Sequence, residues 1–277
     1  MKPSGLITPP PADRPRILLY DIETTPLVGL SWEYYKTDLL TVLQDSFILC
    51  FSYKWWQQTE IGYVALPQNP SYRRNKRNDR WVVERLHCLF DQADCIVAHN
   101  GHRFDRRKAN HRFSIHGLGP PSPYSEVDTL QESRRYFAPY SHRLNEIGRA
   151  HGLGEKKKHI GIPLWMGCMG GDPESWQTME AYSRGDVQLL SDWYDLLLPW
   201  IGTPGQGGGG VNLALWNNDP NSDTCPKCGA KDTDSRKVFE HRGYHRTRFS
   251  RFHTMRCKDC GGWCRVPFRE KGHATAI

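Results

Sequence analysis

The 277-residue sequence contains no apolar stretch that approaches the roughly 18 consecutive residues of a membrane-spanning helix. The N-terminus has no basic segment followed by an apolar run of about 7–15 residues, so we expect no secretory signal. No repeat of about 20–50 residues is visible. We therefore expect a soluble cytoplasmic protein, in the host cytoplasm if a phage encodes it, with one sizeable domain and a small appendage.

The first 224 residues lack an excess of positive charge. They contain 24 Lys and Arg against 25 Asp and Glu, whereas residues 225–277 contain 13 against 5. Five of the nine cysteines lie in the same final segment. The other four stand singly in apolar surroundings, which is typical of buried, reduced thiols. A near-neutral body with a basic appendage is typical of a catalytic domain joined to a module that binds polyanions.

Composition divides the chain into five segments. Residues 1–15 are rich in proline and predict a flexible arm. Residues 16–201 alternate short apolar runs with longer helical patterns, and the glycine-rich residues 202–222 end that pattern and predict a linker. A small cysteine-rich module (223–268) and a tail (269–277) follow.

The periodicity of residues 16–201 predicts a mixed sheet flanked by helices. Predicted strands cover residues 17–21, 47–56, 60–66 and 95–98. Predicted helices cover about residues 80–92, 106–116, 144–152 and 175–200. Strands come first and alternation with helices follows, so we expect an α/β fold.

Three of these elements carry carboxylates where packing would favour apolar residues. Asp21 and Glu23 continue the core-facing row of the first strand, where they need a cation, a hydrogen-bond network or exposure at the strand end. Asp186 interrupts the apolar stripe of the longest helix, and Tyr182 lies one turn before it. Asp105 follows a strand and a glycine-containing turn, at a helix start.

Each of these acids also has a structural interpretation. Asp186 could pair with a nearby arginine beside a core tyrosine, and Asp105 could cap its helix. Their conjunction is more informative, because carboxylates from separate elements suit a pair of Mg²⁺ or Mn²⁺ ions that assists phosphodiester hydrolysis.

The order Asp21-x-Glu23, Asn100 to Asp105 and Tyr182-x-x-x-Asp186 resembles the DEDD exonucleases of the DnaQ-like superfamily. The spacing selects the tyrosine subtype, because the histidine subtype would have His where this chain has Ala181. The resemblance implies a ribonuclease-H-like fold and metal-dependent 3′–5′ exonuclease activity, with Tyr182 positioning the attacking water. It also implies that two Mg²⁺ or Mn²⁺ ions are bound by Asp21, Glu23, Asp105 and Asp186.

Segments 127–130, 143–147 and 164–179 further resemble phage and bacterial nucleases of this superfamily that end in a zinc ribbon. Asp128 and Glu146 are rival acids, although a helix cap is the expected role of Asp128. Asn100 and Arg103, in the segment that leads to Asp105, are predicted to contact nucleic acid; as a single residue, Arg103 is more often a solvated surface group.

The C-terminal module contains two C-x-x-C knuckles, and this spacing predicts one structural Zn²⁺. The predicted ligands are Cys225, Cys228, Cys257 and Cys260, with Cys264 as the alternative to Cys260. The zinc could do no more than fold a domain too small for its own core.

Basic and aromatic residues interleave between the knuckles, from Arg242 to Phe252. Such a segment can grip phosphates and stack on bases, or it can be a solvated hairpin with a small aromatic core. The predicted contacts to nucleic acid are Arg246, Arg248, Phe249 and Arg251.

The function that the resemblance implies is release of nucleoside 5′-monophosphates from a 3′ end, with DNA favoured as substrate. An RNA exonuclease or a structure-selective endonuclease on the same fold is the alternative. A non-catalytic nucleic-acid-binding adaptor is the alternative from another class. The expected partners are single-stranded or 3′-ended DNA and proteins of replication or repair.

Overall fold

A computed structural model describes residues 5–11, 14–33, 35, 38–155, 160–202, 210–216, 224–233, 235–246 and 251–267. The strands before residue 200 are β1 (Ile17–Thr24), β2 (Val28–Leu30), β3 (Thr41–Gln44), β4 (Ile48–Trp55), β5 (Gly62–Ala65), β6 (Cys95–Ala98) and β7 (Ser125–Asp128). The helices are α1 (Arg80–Gln92), α2 (Asp105–Ile115), α3 (Thr129–Tyr136), α4 (Leu144–Ala150), α5 (Ile162–Gly170) and α6 (Pro173–Leu197). None of the described helices combines the length and the apolar character needed to cross a bilayer.

Strand β1 lies at the centre of a five-stranded sheet, in the order β5-β4-β1-β6-β7. It pairs antiparallel with β4 and parallel with β6, while β4–β5 is antiparallel and β6–β7 parallel. Residues Ile17 to Tyr20 are all buried, as a central strand covered on both faces requires. The mixed sheet flanked by helices confirms the predicted ribonuclease-H-like α/β fold class.

Aromatic packing joins β1 to α1 and α2. The Tyr20 ring meets Phe90 of α1 edge-on at a centroid distance of 4.8 Å, and Phe90 meets Phe113 of α2 at 5.7 Å. Helix α6 buries the apolar stripe predicted from its periodicity, including Met179, Leu190 and Leu197. Helix α1 has the bounds that the sequence predicts, and α2, α4 and α6 begin and end within three residues of their predicted bounds.

A buried ionic network ties α1 and α2 to the start of β4. The Asp79 carboxylate is fully buried and accepts hydrogen bonds from the Ile48 backbone N–H (2.9 Å) and from Arg112 Nε (2.8 Å). His116 Nε2 lies 2.7 Å from the other oxygen. Several donors surround one carboxylate, which offsets the cost of removing its charge from water.

The described residues of the proline-rich N-terminal segment make defined contacts with β4. Ile7 donates its backbone N–H to Tyr53 Oη at 2.7 Å, and its carbonyl accepts from Trp55 Nε1 at 3.3 Å. Leu6 and Ile7 also pack against the core. This part of the predicted flexible arm is therefore held by β4.

The chain divides into two compact units, Met1–Asp195 and Leu196–Ile277. The second unit contains a three-stranded antiparallel sheet of β8 (Phe239–Arg246), β9 (Arg251–Cys257) and β10 (Trp263–Pro267), in the order β10-β9-β8. Its described buried residues are few and include Val238 and two of the cysteines, Cys225 and Cys257. Such a small core cannot stabilise the unit by apolar burial alone.

Candidate metal centre and nucleic-acid interface

Three predicted acids converge in space. Asp21 and Glu23 of β1 and Asp186 of α6 each place a carboxylate oxygen within 4.8 Å of the other two, and we name this group the acidic cluster. At 4.8 Å and an effective dielectric constant of about 20, Coulomb's law gives a repulsion of roughly 3.5 kcal/mol per pair of like charges. Because Asp186 is 1% exposed, water screens little of this charge. Hard oxygen donors in this arrangement suit a divalent cation such as Mg²⁺ or Mn²⁺.

Two hydroxyl groups position Asp186 over β1. Ser183, one turn before Asp186, donates to Ser52 Oγ at 2.8 Å, and both serines are fully buried. Ser52 lies opposite Asp21 in the β1–β4 ladder. These small side chains bring α6 close to the sheet beside the acidic cluster. Their sequence signal, two isolated serines in apolar segments, is too weak to identify them without the structure.

The Tyr182 hydroxyl lies in the field of the same acids. Burial, followed by the negative charges of Asp186, Glu23 and Asp21, raises the pKa of Tyr182 well above its ordinary value. The hydroxyl therefore keeps its proton at neutral pH and can donate a hydrogen bond. Trp165 of α5 packs edge-on against the Tyr182 ring at a centroid distance of 6.2 Å, which restricts its orientation.

Asp105 lies beside β1 but outside the acidic cluster. It is 3% exposed, and its Oδ1 accepts a hydrogen bond from the backbone N–H of Ile22 at 3.2 Å. Because β6 pairs with β1 only as far as Leu19, Asp105 supplies an acceptor beyond the end of that ladder. The fourth acid thus contacts the residue between Asp21 and Glu23.

Asp128 has a structural role. Its Oδ1 accepts from the N–H groups of Leu130 and Asn100, and its Oδ2 accepts from that of His102. The carboxylate therefore caps α3, as the sequence favours, and also holds the turn after β6. The other rival, Glu146, accepts a hydrogen bond from Tyr140 Oη. Neither belongs to a metal-binding group among the described residues.

Asn100 lines a cavity of about 670 Å³ beside the end of β6. The residues that line it are His99, Asn100, Leu130, Arg134, Tyr140, Ser141, His142, Arg143, Leu144 and Asn145. Asn100 has φ of 71°, a left-handed conformation that asparagine tolerates better than most residues. Arg103 is exposed at the turn before α2. The cavity is large enough for a nucleotide, and Arg134 and Arg143 give it positive charge.

The four predicted zinc ligands form a second cluster, which we name the cysteine cluster. The sulfurs of Cys225, Cys228, Cys257 and Cys260 all lie within 4.8 Å of one another. Cys225–Cys260 and Cys228–Cys257 are both 3.8 Å apart, and a tetrahedron with Zn–S bonds of about 2.3 Å has edges of about that length. Hydrogen bonds with the neighbouring thiols, that of Cys225 first, lower the pKa of Cys260, whereas hydrogen bonds with Cys228 and Cys260 raise the pKa of Cys225.

Both knuckles close with the same turn. Gly229 donates to the Cys225 carbonyl at 3.0 Å, and Gly261 donates to the Cys257 carbonyl at 2.9 Å. Both glycines have positive φ, 76° and 72°, a conformation that a side chain disfavours. Cys264 lies on β10, opposite Met255, and is outside the cysteine cluster.

The β8–β9 hairpin combines basic and aromatic groups. The rings of His241, Tyr244 and His253 lie 5.1 Å apart, and the Arg251 guanidinium lies 4.1 Å from the Tyr244 ring centroid. Arg246 lies directly opposite Arg251, a pairing of like charges that an anion would offset. The other two predicted contacts, Arg248 and Phe249, lie outside the described residues.

No protein-family model matches the sequence, and no curated protein matches it. Among solved structures, the chain is similar to the family B DNA polymerase from the hyperthermophilic archaeon Pyrobaculum calidifontis, with a TM-score of 0.50 and 18% sequence identity. The match covers 70% of this chain and 26% of the polymerase, so the chain spans about a quarter of that protein's length. At this identity the similarity shows a shared fold.

Proposed function

We propose that the chain is a metal-dependent 3′–5′ exonuclease that hydrolyses phosphodiester bonds and releases nucleoside 5′-monophosphates. The observation that carries the proposal is the acidic cluster, three carboxylates brought together from β1, the central strand, and α6. Its oxygen donors fit a pair of Mg²⁺ or Mn²⁺ ions, with Asp105 completing the set. When bound, such ions activate water and stabilise the leaving oxygen.

The chain's own groups then have separate roles. Asp21, Glu23 and Asp186 would hold the cations, and the Ser52–Ser183 contact joins α6 to β4, the strand that pairs with β1. The protonated hydroxyl of Tyr182 orients the attacking water. Asn100 and Arg103 face the strand that enters beside α2, and Arg134 and Arg143 hold its phosphates at the neighbouring cavity.

DNA is the favoured substrate, and the fold shared with a DNA polymerase supports this choice. The test uses the full chain with Mg²⁺ and three probes: a 5′-labelled DNA strand, the same sequence as RNA, and a circular DNA strand. Stepwise shortening of the linear DNA with release of 5′-monophosphates is expected, together with an intact circle. Cleavage of the circle would establish an endonuclease, and faster loss of the RNA would establish an RNA exonuclease.

Two variants assign the activity to the site. Tyr182→Phe should lower turnover by roughly 10–1000-fold, in the range of other positioning and proton-transfer groups. Asp192→Asn is the matched control, because Asp192 lies on the same helix outside the acidic cluster and accepts from Gln188. Unchanged turnover in Tyr182→Phe would leave the tyrosine with a packing role only.

The wild type could instead bind DNA and hydrolyse none of it with any divalent ion. That result would favour the alternative function, a non-catalytic nucleic-acid-binding adaptor.

A further inference from the structure

The loop between β5 and α1 concentrates positive charge in the first unit. Residues 69–80, which we name the basic loop, contain five basic residues and one acid, Asp79. The basic residues, all exposed, are Arg73, Arg74, Lys76, Arg77 and Arg80. Outside this loop, the first 224 residues contain 19 basic and 24 acidic residues. The near-zero net charge of that part of the chain therefore averages a basic loop with an acidic remainder.

Side-chain contacts give the basic loop a defined conformation. Asn69, Asn75 and Asn78 each accept a hydrogen bond on the side-chain oxygen from the backbone N–H two residues later, at 3.0, 3.0 and 3.1 Å. Tyr72 packs edge-on against Trp176 of α6, with ring centroids 6.4 Å apart, and its hydroxyl accepts from Trp176 Nε1 at 3.3 Å. The basic side chains are therefore presented from a fixed backbone.

Three cations of the basic loop are not neutralised by an acid. Asp79 is buried and serves Arg112, and Arg80 pairs with Glu84. Lys76 donates to a carbonyl at the end of α5. The arginines that form no ion pair within the described part of the chain are Arg73, Arg74 and Arg77. Three positive charges within five residues repel one another, and a bound polyanion offsets this repulsion.

The register of the sheet places the basic loop at the end that carries the acidic cluster. Glu23 lies opposite Cys50, and Cys50 lies opposite Ala65, the last residue of β5. Neighbouring strands are about 4.8 Å apart, so the chain leaves β5 roughly 10 Å from Glu23. After the loop, the Asp79 carboxylate accepts from the N–H of Ile48, which pairs with the residue after Glu23. The segment that contains the basic loop therefore starts and ends at that end of the sheet.

Composition determines which group of a polyanion the basic loop contacts. Arginine donates paired N–H groups in a geometry that suits phosphates. The only aromatic side chain of the loop, Tyr72, is packed against Trp176 and is not offered to unpaired bases. A loop of this kind holds the phosphates of nucleic acid and does not read bases.

Charge density favours a double-stranded ligand. A duplex carries one phosphate per about 1.7 Å of its axis, against about 3.4 Å for a single strand, and its bases are stacked inside. Closely spaced arginines without stacking groups suit this ligand better than a single strand, whose exposed bases would gain no contact. We infer that the basic loop binds the phosphate backbone of a nucleic-acid duplex next to the 3′ end that the acidic cluster would hydrolyse. The position of that 3′ end rests on the proposed function.

The test is the salt dependence of binding by the full chain, measured with Ca²⁺ in place of Mg²⁺ because it needs no hydrolysis. The probes are a labelled duplex of about 20 base pairs and one of its strands alone. In the double variant Arg73→Gln/Arg74→Gln, the slope of log K against log salt should fall by about 1.8 on the duplex, about 0.9 for each lost phosphate contact. The slope on the single strand should not change. Both side chains are exposed, so the melting temperature should equal that of the wild type.

Two further variants separate phosphate binding from other effects of the substitutions. Arg135→Gln/Arg149→Gln is the matched control, because it removes the same charge from two arginines that are paired with glutamates. Its slope on the duplex should equal that of the wild type. Arg73→Lys/Arg74→Lys keeps both charges and should retain the wild-type slope.

Two results would overturn the inference. If the slope of Arg73→Gln/Arg74→Gln on the duplex changes no more than that of the control, the basic loop does not bind nucleic acid, and an acidic protein becomes its partner. If the slope on the single strand also falls, by about 1.4 for two contacts, the loop holds the phosphates of one strand and the duplex assignment is wrong.

Failure of the proposed function gives a different result. A chain whose duplex binding depends on Arg73 and Arg74, but which hydrolyses nothing with Mg²⁺ or Mn²⁺, keeps the duplex-binding loop and loses the nuclease assignment. A chain that shortens 3′ ends normally, and whose duplex slope does not depend on these arginines, loses only the inference.

Discussion

The acidic cluster and the cysteine cluster differ in how well the protein around them is packed. Asp186 and its neighbours lie on a fully packed sheet and helix, and the repulsion among them is a cost that this core tolerates. The four cysteines lie in a unit with few buried apolar residues, where bonds to a metal would replace the missing core. In the first unit the packed core positions the carboxylates, whereas in the second a bound metal would stabilise the fold.

The largest expected effect is loss of the second unit when its metal is removed. Chelation, or Cys225→Ser, should unfold residues 224–267, because structural zinc contributes apparent binding free energies of about 10–16 kcal/mol. Amide hydrogen exchange of the full chain would detect the loss, with the first unit still protected. Cys88→Ser, at a single cysteine outside both clusters, is the control. A second unit that stays protected after chelation would mean that it has another source of stability.

Removing a ligand from the first unit should affect chemistry and spare the fold. Asp186→Asn and Asp21→Asn should each lower turnover by several orders of magnitude, because each removes an anionic metal ligand. Without divalent ions, their melting temperatures should be equal to that of the wild type or higher, since one like-charge repulsion disappears. Calorimetry and a nuclease assay on the same samples measure both effects. A variant that melts much earlier would show that the cluster is structural.

The third effect concerns what holds the first unit together. Asp79→Ala should lower the free energy of unfolding by about 3–5 kcal/mol, because it leaves Arg112, His116 and the Ile48 N–H buried without their acceptor. Glu84→Ala is the control on the helix that follows Asp79, since its exposed ion pair with Arg80 contributes about 0.2–1 kcal/mol. Urea unfolding measures the difference. Equal losses in the two variants would refute a special role for the buried network.

The smallest expected effect concerns binding of nucleic acid by the second unit. Arg246→Gln and Arg251→Gln should each reduce the slope of log K against log salt by about 0.7 on single strands, and turnover of short oligonucleotides should not change. Fluorescence anisotropy over a range of KCl concentrations gives the slope. Arg236→Gln is the control, because Arg236 is paired with Asp259. An unchanged slope would leave this unit with a role in protein docking.

Local patterns predicted those parts of the fold that depend on periodicity. Helix α1 has its predicted bounds because its apolar residues repeat with the helical period, and the apolar runs of β1 and β4 are unmistakable. The two-stranded ribbon of β2 and β3 was not predicted, because its apolar residues are exposed and lie beside Pro26 and Gly29. Strand prediction from sequence assumes that the apolar residues of a strand are buried, so it does not detect strands whose apolar residues are exposed.

At the acidic cluster, too, local spacing was predictable and tertiary contacts were not. Spacing identified Asp21, Glu23, Tyr182 and Asp186 as candidates, since alternation on a strand and the helical period determine which faces they share. Contacts that depend on tertiary structure were not visible, such as Ser52 with Ser183 or Asp105 with the Ile22 amide. Each joins residues that are distant in sequence, and no local pattern encodes such a pair.

The acidic cluster draws its ligands from opposite ends of the first unit, β1 near the start and α6 at the end. During synthesis, Asp21 and Glu23 leave the ribosome long before Asp186 is translated, at about 5–20 residues per second. The growing chain therefore has no complete metal site for most of its synthesis. The proposed nuclease chemistry would begin only when the last helix has docked on the first strand, after nearly the whole first unit has emerged.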